Sequence, residues 1–363
     1  MCGKNNQCHI VIGLLLVYVF IPLLAWSQQK PDSLSNEVSV KVLPLVFFTP
    51  ETRWAAGAAS VATWQSDSVS RPSQSQLGFA YTQNKQWLFY LPFQLFLKKN
   101  KYLVSGELGY YLYSYFYYGI GRNAPLENEE LYKVNYPRVR LAVQQNWSEN
   151  FFGGIQIAYD HWDLIDVKEN GLLANKSTPG SKGGTVLYAG PILTYDSRNQ
   201  LFFSTDGSRV QLAIMYNSEL WSPYKFWKWQ LDYTSYVALQ NHVLAFNLGW
   251  EQNVGNVPFN EMAMLGGTKR LRGVYLGRFR DKLATYVQSE YRSPTYKRFG
   301  AVAFVGIGQV APELKKMTIQ NPVVTYGGGL RFVLDTKNQL NVRFDYGQSN
   351  ESSGFYLTVG EAF

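Results

Sequence analysis

The sequence predicts an all-β fold: a transmembrane antiparallel β-barrel of about sixteen strands, behind an N-terminal signal peptide. Three observations predict it. From about residue 40 onward, apolar and polar residues alternate with period two in run after run. Aromatic residues make up 16% of the chain while its mean hydropathy is only −0.19, as expected of strands with one lipid face and one wet face. The one long apolar run, Ile10 to Trp26, sits at the chain start, whereas a helical membrane protein of 363 residues would carry several.

Residues 1–27 read as a secretory signal. Lys4 supplies the positive n-region, Ile10 to Leu24 the apolar stretch, and Ala25-Trp26-Ser27 the small-x-small site, with cleavage before Gln28. Cys2 and Cys8 both fall inside it, so the remainder has neither a disulfide framework nor a thiolate metal site. Residues 28–40 then form a short periplasmic segment, and 41–363 form the barrel as a single domain.

The strands follow in order, with starts expected near residues 42, 53, 75, 86, 101, 134, 150, 184, 208, 225, 241, 282, 297, 323, 339 and 354. Trp87, Phe89, Leu91, Phe93, Leu95 and Leu97 make one apolar face. Trp227, Trp229, Leu231 and Tyr233 alternate with Lys228, Gln230, Asp232 and Thr234; Leu340, Val342, Phe344 and Tyr346 alternate with Asn341, Arg343 and Asp345. Soluble sandwiches alternate too, but their strands average about 5–6 residues. These runs reach about 10–13, and their second faces carry the Arg, Lys, Asp and Gln of a wet lumen. Pro44 and Pro50 flank a first strand of about five uninterrupted residues.

Connections alternate in length after about residue 98. Tight turns near Lys99-Asn100, Glu149-Asn150 and Gln240-Asn241 intervene between long loops at 114–133, 163–183, 254–281 and 309–322. Short periplasmic turns and long outer loops are the habit of outer-membrane barrels, which puts both termini in the periplasm. The stretch Asp196 to Gly207 is a longer periplasmic turn in this register. In the last strand Phe355, Leu357, Val359 and Phe363 are expected on one face, and an alternating strand with a terminal aromatic resembles the C-terminal signal of outer-membrane barrels.

Gly266-Gly-Thr-Lys-Arg-Leu-Arg-Gly-Val-Tyr275, followed by Gly277-Arg-Phe-Arg-Asp281, resembles the sixth outer loop of the BamA/TamA superfamily. Leu271, Arg272 and Gly273 match the loop tip; Val274 stands where an aromatic is usual, and Tyr275 comes one place later. Ser289-Glu-Tyr-Arg292 resembles the next strand's motif. Phe304-Val-Gly-Ile-Gly308 matches the one after in part, with Gly306 in place of an acid. Leu43 to Thr52, Tyr117 to Gly121, Tyr195 to Arg198 and Gly327 to Arg331 resemble further segments of the same barrel.

The resemblance implies a loop folded into the lumen and a role in inserting or translocating proteins, or lipids, at the Gram-negative outer membrane. The partners it implies are outer-membrane lipids including lipopolysaccharide, unfolded outer-membrane proteins and a periplasmic partner. The POTRA domains usual in the family are not recognised in this sequence, so substrate capture would fall to such a partner. A guanidinium in a lumen needs a carboxylate, and its planar fork binds one bidentately. Arg272 is therefore expected to pair with Glu290, with Asp281 as substitute for the acid missing at Gly306, and with Gln288 beside it.

Little else suggests chemistry. The net charge of +8 is spread along the chain with no basic stripe, so nucleic acid is not expected as a partner. His161 and His242 read as interfacial or lumen residues. No catalytic residue, metal site or cofactor is expected, since no nucleophile elbow, phosphate loop or ligand cluster appears. Glu127, Glu129 and Glu130 read as solvated loop acids, and Gly327-Gly-Gly329 as a close-packing site. A passive pore and a structural or surface-interaction barrel are the competing functional readings, and the position of loop 254–281 discriminates between pore and insertase.

Overall fold

The computed structural model describes residues 38–49, 51–336 and 338–363. The expected signal and most of the segment 28–40 lie outside the described residues.

Eighteen strands are present among these residues. The first six are β1 (Ser39–Thr49), β2 (Arg53–Trp64), β3 (Ser73–Thr82), β4 (Trp87–Leu97), β5 (Tyr102–Tyr117) and β6 (Glu130–Ser148). Then come β7 (Phe151–Val167), β8 (Gly184–Asp196), β9 (Gly207–Asn217), β10 (Phe226–Leu239) and β11 (His242–Gly255). The short β12 (Ala263–Leu265) and β13 (Phe279–Asp281) pair only with each other. The last five are β14 (Leu283–Arg292), β15 (Phe299–Ala311), β16 (Val323–Asp335), β17 (Leu340–Ser349) and β18 (Ser353–Val359).

Sixteen strands form one antiparallel sheet in chain order, β1 to β11 and then β14 to β18. Each expected strand is present and begins within four residues of its expected start. The alternation is the cause. On β15, Ala301, Ala303, Val305 and Ile307 are exposed while Val302, Phe304, Gly306 and Gly308 are buried. On β17, Asn341, Arg343 and Asp345 are buried and Phe344 and Tyr346 are exposed. Apolar side chains outside and charged ones inside are what a lipid-facing barrel requires.

Three expectations change. The central strands are longer than expected: β5, β6 and β7 span 16, 19 and 17 residues. Their ends carry Tyr117, Tyr132 and Trp162 into the largest apolar cluster, and that burial rewards the extension. Pro44 lies inside the eleven-residue β1, opposite Ala58, and does not bound a shorter strand. β1 pairs on one side only, and an edge strand tolerates a residue that cannot donate. Phe363 does not share the outward face of Phe355. β18 stops at Val359, Gly360 turns the chain at φ +80°, and Phe363 packs inside against Tyr236, Val243 and Ala245.

Among the described residues β1 and β18 form no ladder with each other. The two ends of the sheet nonetheless meet at the end that carries the short connections. Ser39 Oγ donates to Asp335 Oδ2 at 3.2 Å, and Asn338 Nδ2 to Thr63 Oγ1 at 3.2 Å. Val61 of β2 shares an apolar cluster with Leu340 of β17, with Val359 packed on it.

Candidate functional site

The connection 256–282, between β11 and β14, does not project away from the barrel. Its first arm lays Val257, Phe259 and Met262 into the aromatic cluster of β5 to β10. Its second part buries Leu265, Leu271, Val274 and Phe279 with Tyr286, Val310 and Val323 of β14 to β16. The loop lies inside the lumen.

Its tip is held by charge. Arg272 is 1% exposed and its fork spans two carboxylates: Nη2 donates to Glu290 Oε2 at 2.5 Å, and Nη1 to Asp345 Oδ2 at 2.6 Å. The guanidinium also lies over the Phe304 ring, 3.6 Å from its centroid. Glu290 accepts a second bond from Arg292 Nε at 2.8 Å, and Asp345 one from Arg331 Nη1 at 2.5 Å. Arg331 Nε in turn donates to Glu361 at 2.8 Å. Alternation along β14, β16 and β17 turns these groups inward, so a buried guanidinium meets charge on two sides. Without it, its desolvation would be uncompensated.

The tip backbone is held as closely. Gly273 adopts φ +107°, and its N–H donates to Tyr356 Oη at 2.8 Å. Its carbonyl accepts from Ser352 Oγ at 2.7 Å. A Cβ there would lie 2.5 Å from the Gln348 nitrogen, so only glycine lets the tip lie against β17. Gln288 holds the chain on both sides of Arg270: it accepts from Leu271 N at 3.3 Å and donates to the Lys269 carbonyl at 2.7 Å. Tyr275 Oη accepts from Phe116 N at 3.2 Å, linking the loop to the far wall.

Arg272, Glu290, Gln288, Leu271 and Gly273 thus converge on one region, while Tyr275 reaches the opposite wall. Asp281 does not join them: it pairs with Ala263 in the β12–β13 hairpin, and the second carboxylate is Asp345. The glycine at 306 has a steric reason. A Cβ there would lie 2.6 Å from Leu271 Cδ2, and one at Gly308 2.6 Å from Leu271 Cδ1, so the pair makes the seat for Leu271. Glu130 is not a solvated loop acid. It is buried and accepts from Leu172 N at 2.6 Å and Leu173 N at 2.9 Å, ordering the 168–183 loop. Glu129 accepts from Tyr118 Oη at 2.8 Å and is not simply solvated.

A second hold on the loop was not anticipated. Glu261, on the first arm, is buried and accepts from Lys228 Nζ of β10 at 3.0 Å and from Tyr136 Oη at 3.2 Å. The signal was present, since Lys228 stands on an inward face, but no spacing links it to residue 261. At the opposite end of the lumen, the turn 197–206 points Leu201, Phe202 and Phe203 inward, toward Phe96, Leu340 and Tyr236 respectively. His161 sits on the outward face of β7 between Thr185 Oγ1 (2.7 Å) and Asp163 Oδ2 (3.0 Å). His242 meets Tyr291 Oη at 2.6 Å. No metal-binding group of three acidic, His or Cys residues occurs among the described residues.

A sixteen-stranded barrel with a lumenal loop held at an Arg-Gly tip finds its counterpart in sequence comparison: the profile of the Omp85 superfamily domain matches residues 68–363. The chain belongs to the Omp85 superfamily. Among solved structures this Omp85 barrel is similar to BamA from Haemophilus ducreyi lacking POTRA domains 1–3. The two are 14% identical with TM-score 0.57, over 90% of this chain and 69% of that one. It is also similar to CdiB from Acinetobacter baumannii, at 13% identity and TM-score 0.51, over 89% of this chain and 65% of that one. At such identities the likeness is one of fold. Comparison with curated proteins finds no match. Membership of the superfamily makes the chain an outer-membrane barrel of protein insertion or translocation. The BamA/TamA resemblance read from residues 266–281 agrees with it.

Proposed function

We propose that this Omp85 barrel assists the insertion of outer-membrane polypeptides, with the edges of β1 and β18 as the working site. One observation carries the reading: among the described residues the sheet runs from β1 to β18 without a ladder between them, while loop 256–282 lies inside the lumen. A strand edge with unpaired N–H and C=O groups templates an incoming strand. Pro44 weakens the β1 edge as a partner for β18, because it has no N–H to donate. The chain's partners on this reading are unfolded outer-membrane proteins, a periplasmic protein that delivers them, and surrounding lipid including lipopolysaccharide. Both termini face the periplasm, on the side of the short turns.

The pore reading is opposed by the same loop, which lies inside the barrel with Arg272 held by Glu290 and Asp345. The discriminating experiment reconstitutes the full chain in liposomes and follows the folding of a denatured outer-membrane barrel by heat-modifiable gel mobility. Faster folding than in empty liposomes supports the proposal. An unchanged rate, with and without a periplasmic extract, contradicts it.

A further inference from the structure

Between the loop tip and the turn 197–206 the lumen keeps a chamber of about 960 Å³. Its walls differ. The β3 to β5 side is neutral, with Gln74, Gln76, Gln94 and Ser105 beside Leu88 and Pro92. The opposite side is charged: Arg198, Arg209, Lys269, Arg270 and Arg343 line it, against the acids Asp232, Glu251 and Glu361.

Most of these charges are engaged. Arg198 donates to Asp196, Glu251 meets Arg270 and Lys228, and Glu361 accepts from Arg331. Arg343 donates to the Thr268 carbonyl at 2.7 Å, which brings it beside Lys269, and lies 3.3 Å from Asp345. What remains is Lys269 and Arg209. Among the described residues no carboxylate lies within 4.0 Å of Lys269, which sits at the loop tip with Arg343, Asp232 and Arg209 as its charged neighbours farther off. Arg209 Nη2 donates to the neutral Gln211 Oε1 at 2.9 Å, and its charge is balanced only loosely, by Asp232 at 3.7 Å.

We propose that this chamber is a binding site for a phosphate group, held by Lys269 and Arg209, with any attached body lying along the neutral wall of β3 to β5. Lys269, with no carboxylate within 4.0 Å among the described residues, and Arg209, whose charge is balanced only at 3.7 Å, provide charge-assisted donors of the kind that hold phosphate oxygens. The chamber volume suits a ligand larger than the ion alone. Its rim includes Leu45 of β1 and Leu357 and Val359 of β18, so it borders the seam, where a lipid headgroup could enter as readily as free phosphate.

The test is calorimetric titration of the full chain in non-ionic detergent, at constant ionic strength, with inorganic phosphate and separately with dihexanoyl phosphatidate. Saturable binding is expected, weakened about tenfold in Lys269→Gln and again in Arg209→Gln. Lys315→Gln, on the distant connection 312–322, is expected to leave it unchanged. A phosphatidate affinity at least tenfold above that of phosphate identifies a lipid headgroup, and equal affinities identify free phosphate. Either supports the site. Absence of saturable heat for both probes, or equal weakening by Lys315→Gln, overturns it. Lys269 is exposed at the tip, so its variant keeps the test valid even where Arg209→Gln fails to fold.

Discussion

Arg272 Nη1 donates to Asp345 Oδ2 at 2.6 Å, joining a loop tip to the penultimate barrel strand across 73 residues of sequence. Both side chains are fully buried. Removing one partner of such a pair leaves an uncompensated charge, at a cost of about 3–5 kcal/mol. Asp345→Asn and Glu290→Gln are each expected to lower the urea midpoint of the detergent-solubilised barrel. Arg272→Lys should fall between wild type and Arg272→Ala, since an ammonium keeps the charge but cannot span both acids.

Gly273→Ala tests the backbone of the tip separately from its charge. The φ of +107° and the 2.5 Å approach to the Gln348 nitrogen both oppose a side chain. A cost of about 1–3 kcal/mol is expected. Limited proteolysis should then cut within 256–282, where the wild-type loop is protected.

The second hold predicts an asymmetric result. Glu261→Gln loses its charge interaction with Lys228, but Lys228 keeps Glu251 at 3.5 Å, so the loss should be smaller than at Arg272. Lys228→Met leaves both Glu251 and Glu261 without that cation and should cost more than Glu261→Gln. Thermal midpoints of the two variants and of the double variant decide this: equal losses in the two single variants would refute the arrangement.

The fold was legible because lipid on one side and a wet lumen on the other impose period two on every strand, and the sixteen starts follow from that alone. Arg272 and Glu290 were legible for a related reason: a lumenal guanidinium demands a carboxylate, and Glu290 is inward on the next strand. Asp345 was visible as an inward residue, but its meeting with Arg272 depends on barrel curvature, which periodicity does not encode. The choice of Asp281 failed because a two-stranded hairpin inside the loop withdraws it. Phe363 was misplaced because the strand ends four residues before the terminus, at a glycine whose left-handed φ turns the chain inward. The hold at Glu261 and the Leu201-Phe202-Phe203 base are contacts between distant segments, with no local pattern to announce them.

The turn 197–206 carries a prediction of its own. Phe202→Ala removes a ring from the cluster of Val61 and Leu340, at an expected cost of about 3–5 kcal/mol. Since that cluster links β2 to β17 near the seam, the variant should also raise hydrogen exchange at the ends of β1 and β18 more than in β6 and β7. Uniform change across the barrel would count against a link between this turn and the seam.

The central claim is that the Arg272-anchored loop occupies the lumen, and planar-bilayer conductance tests it most directly. The wild-type chain is expected to show no large steady conductance, and Arg272→Ala to open long-lived steps. A large steady open conductance in the wild type, unaltered by Arg272→Ala, would contradict the account.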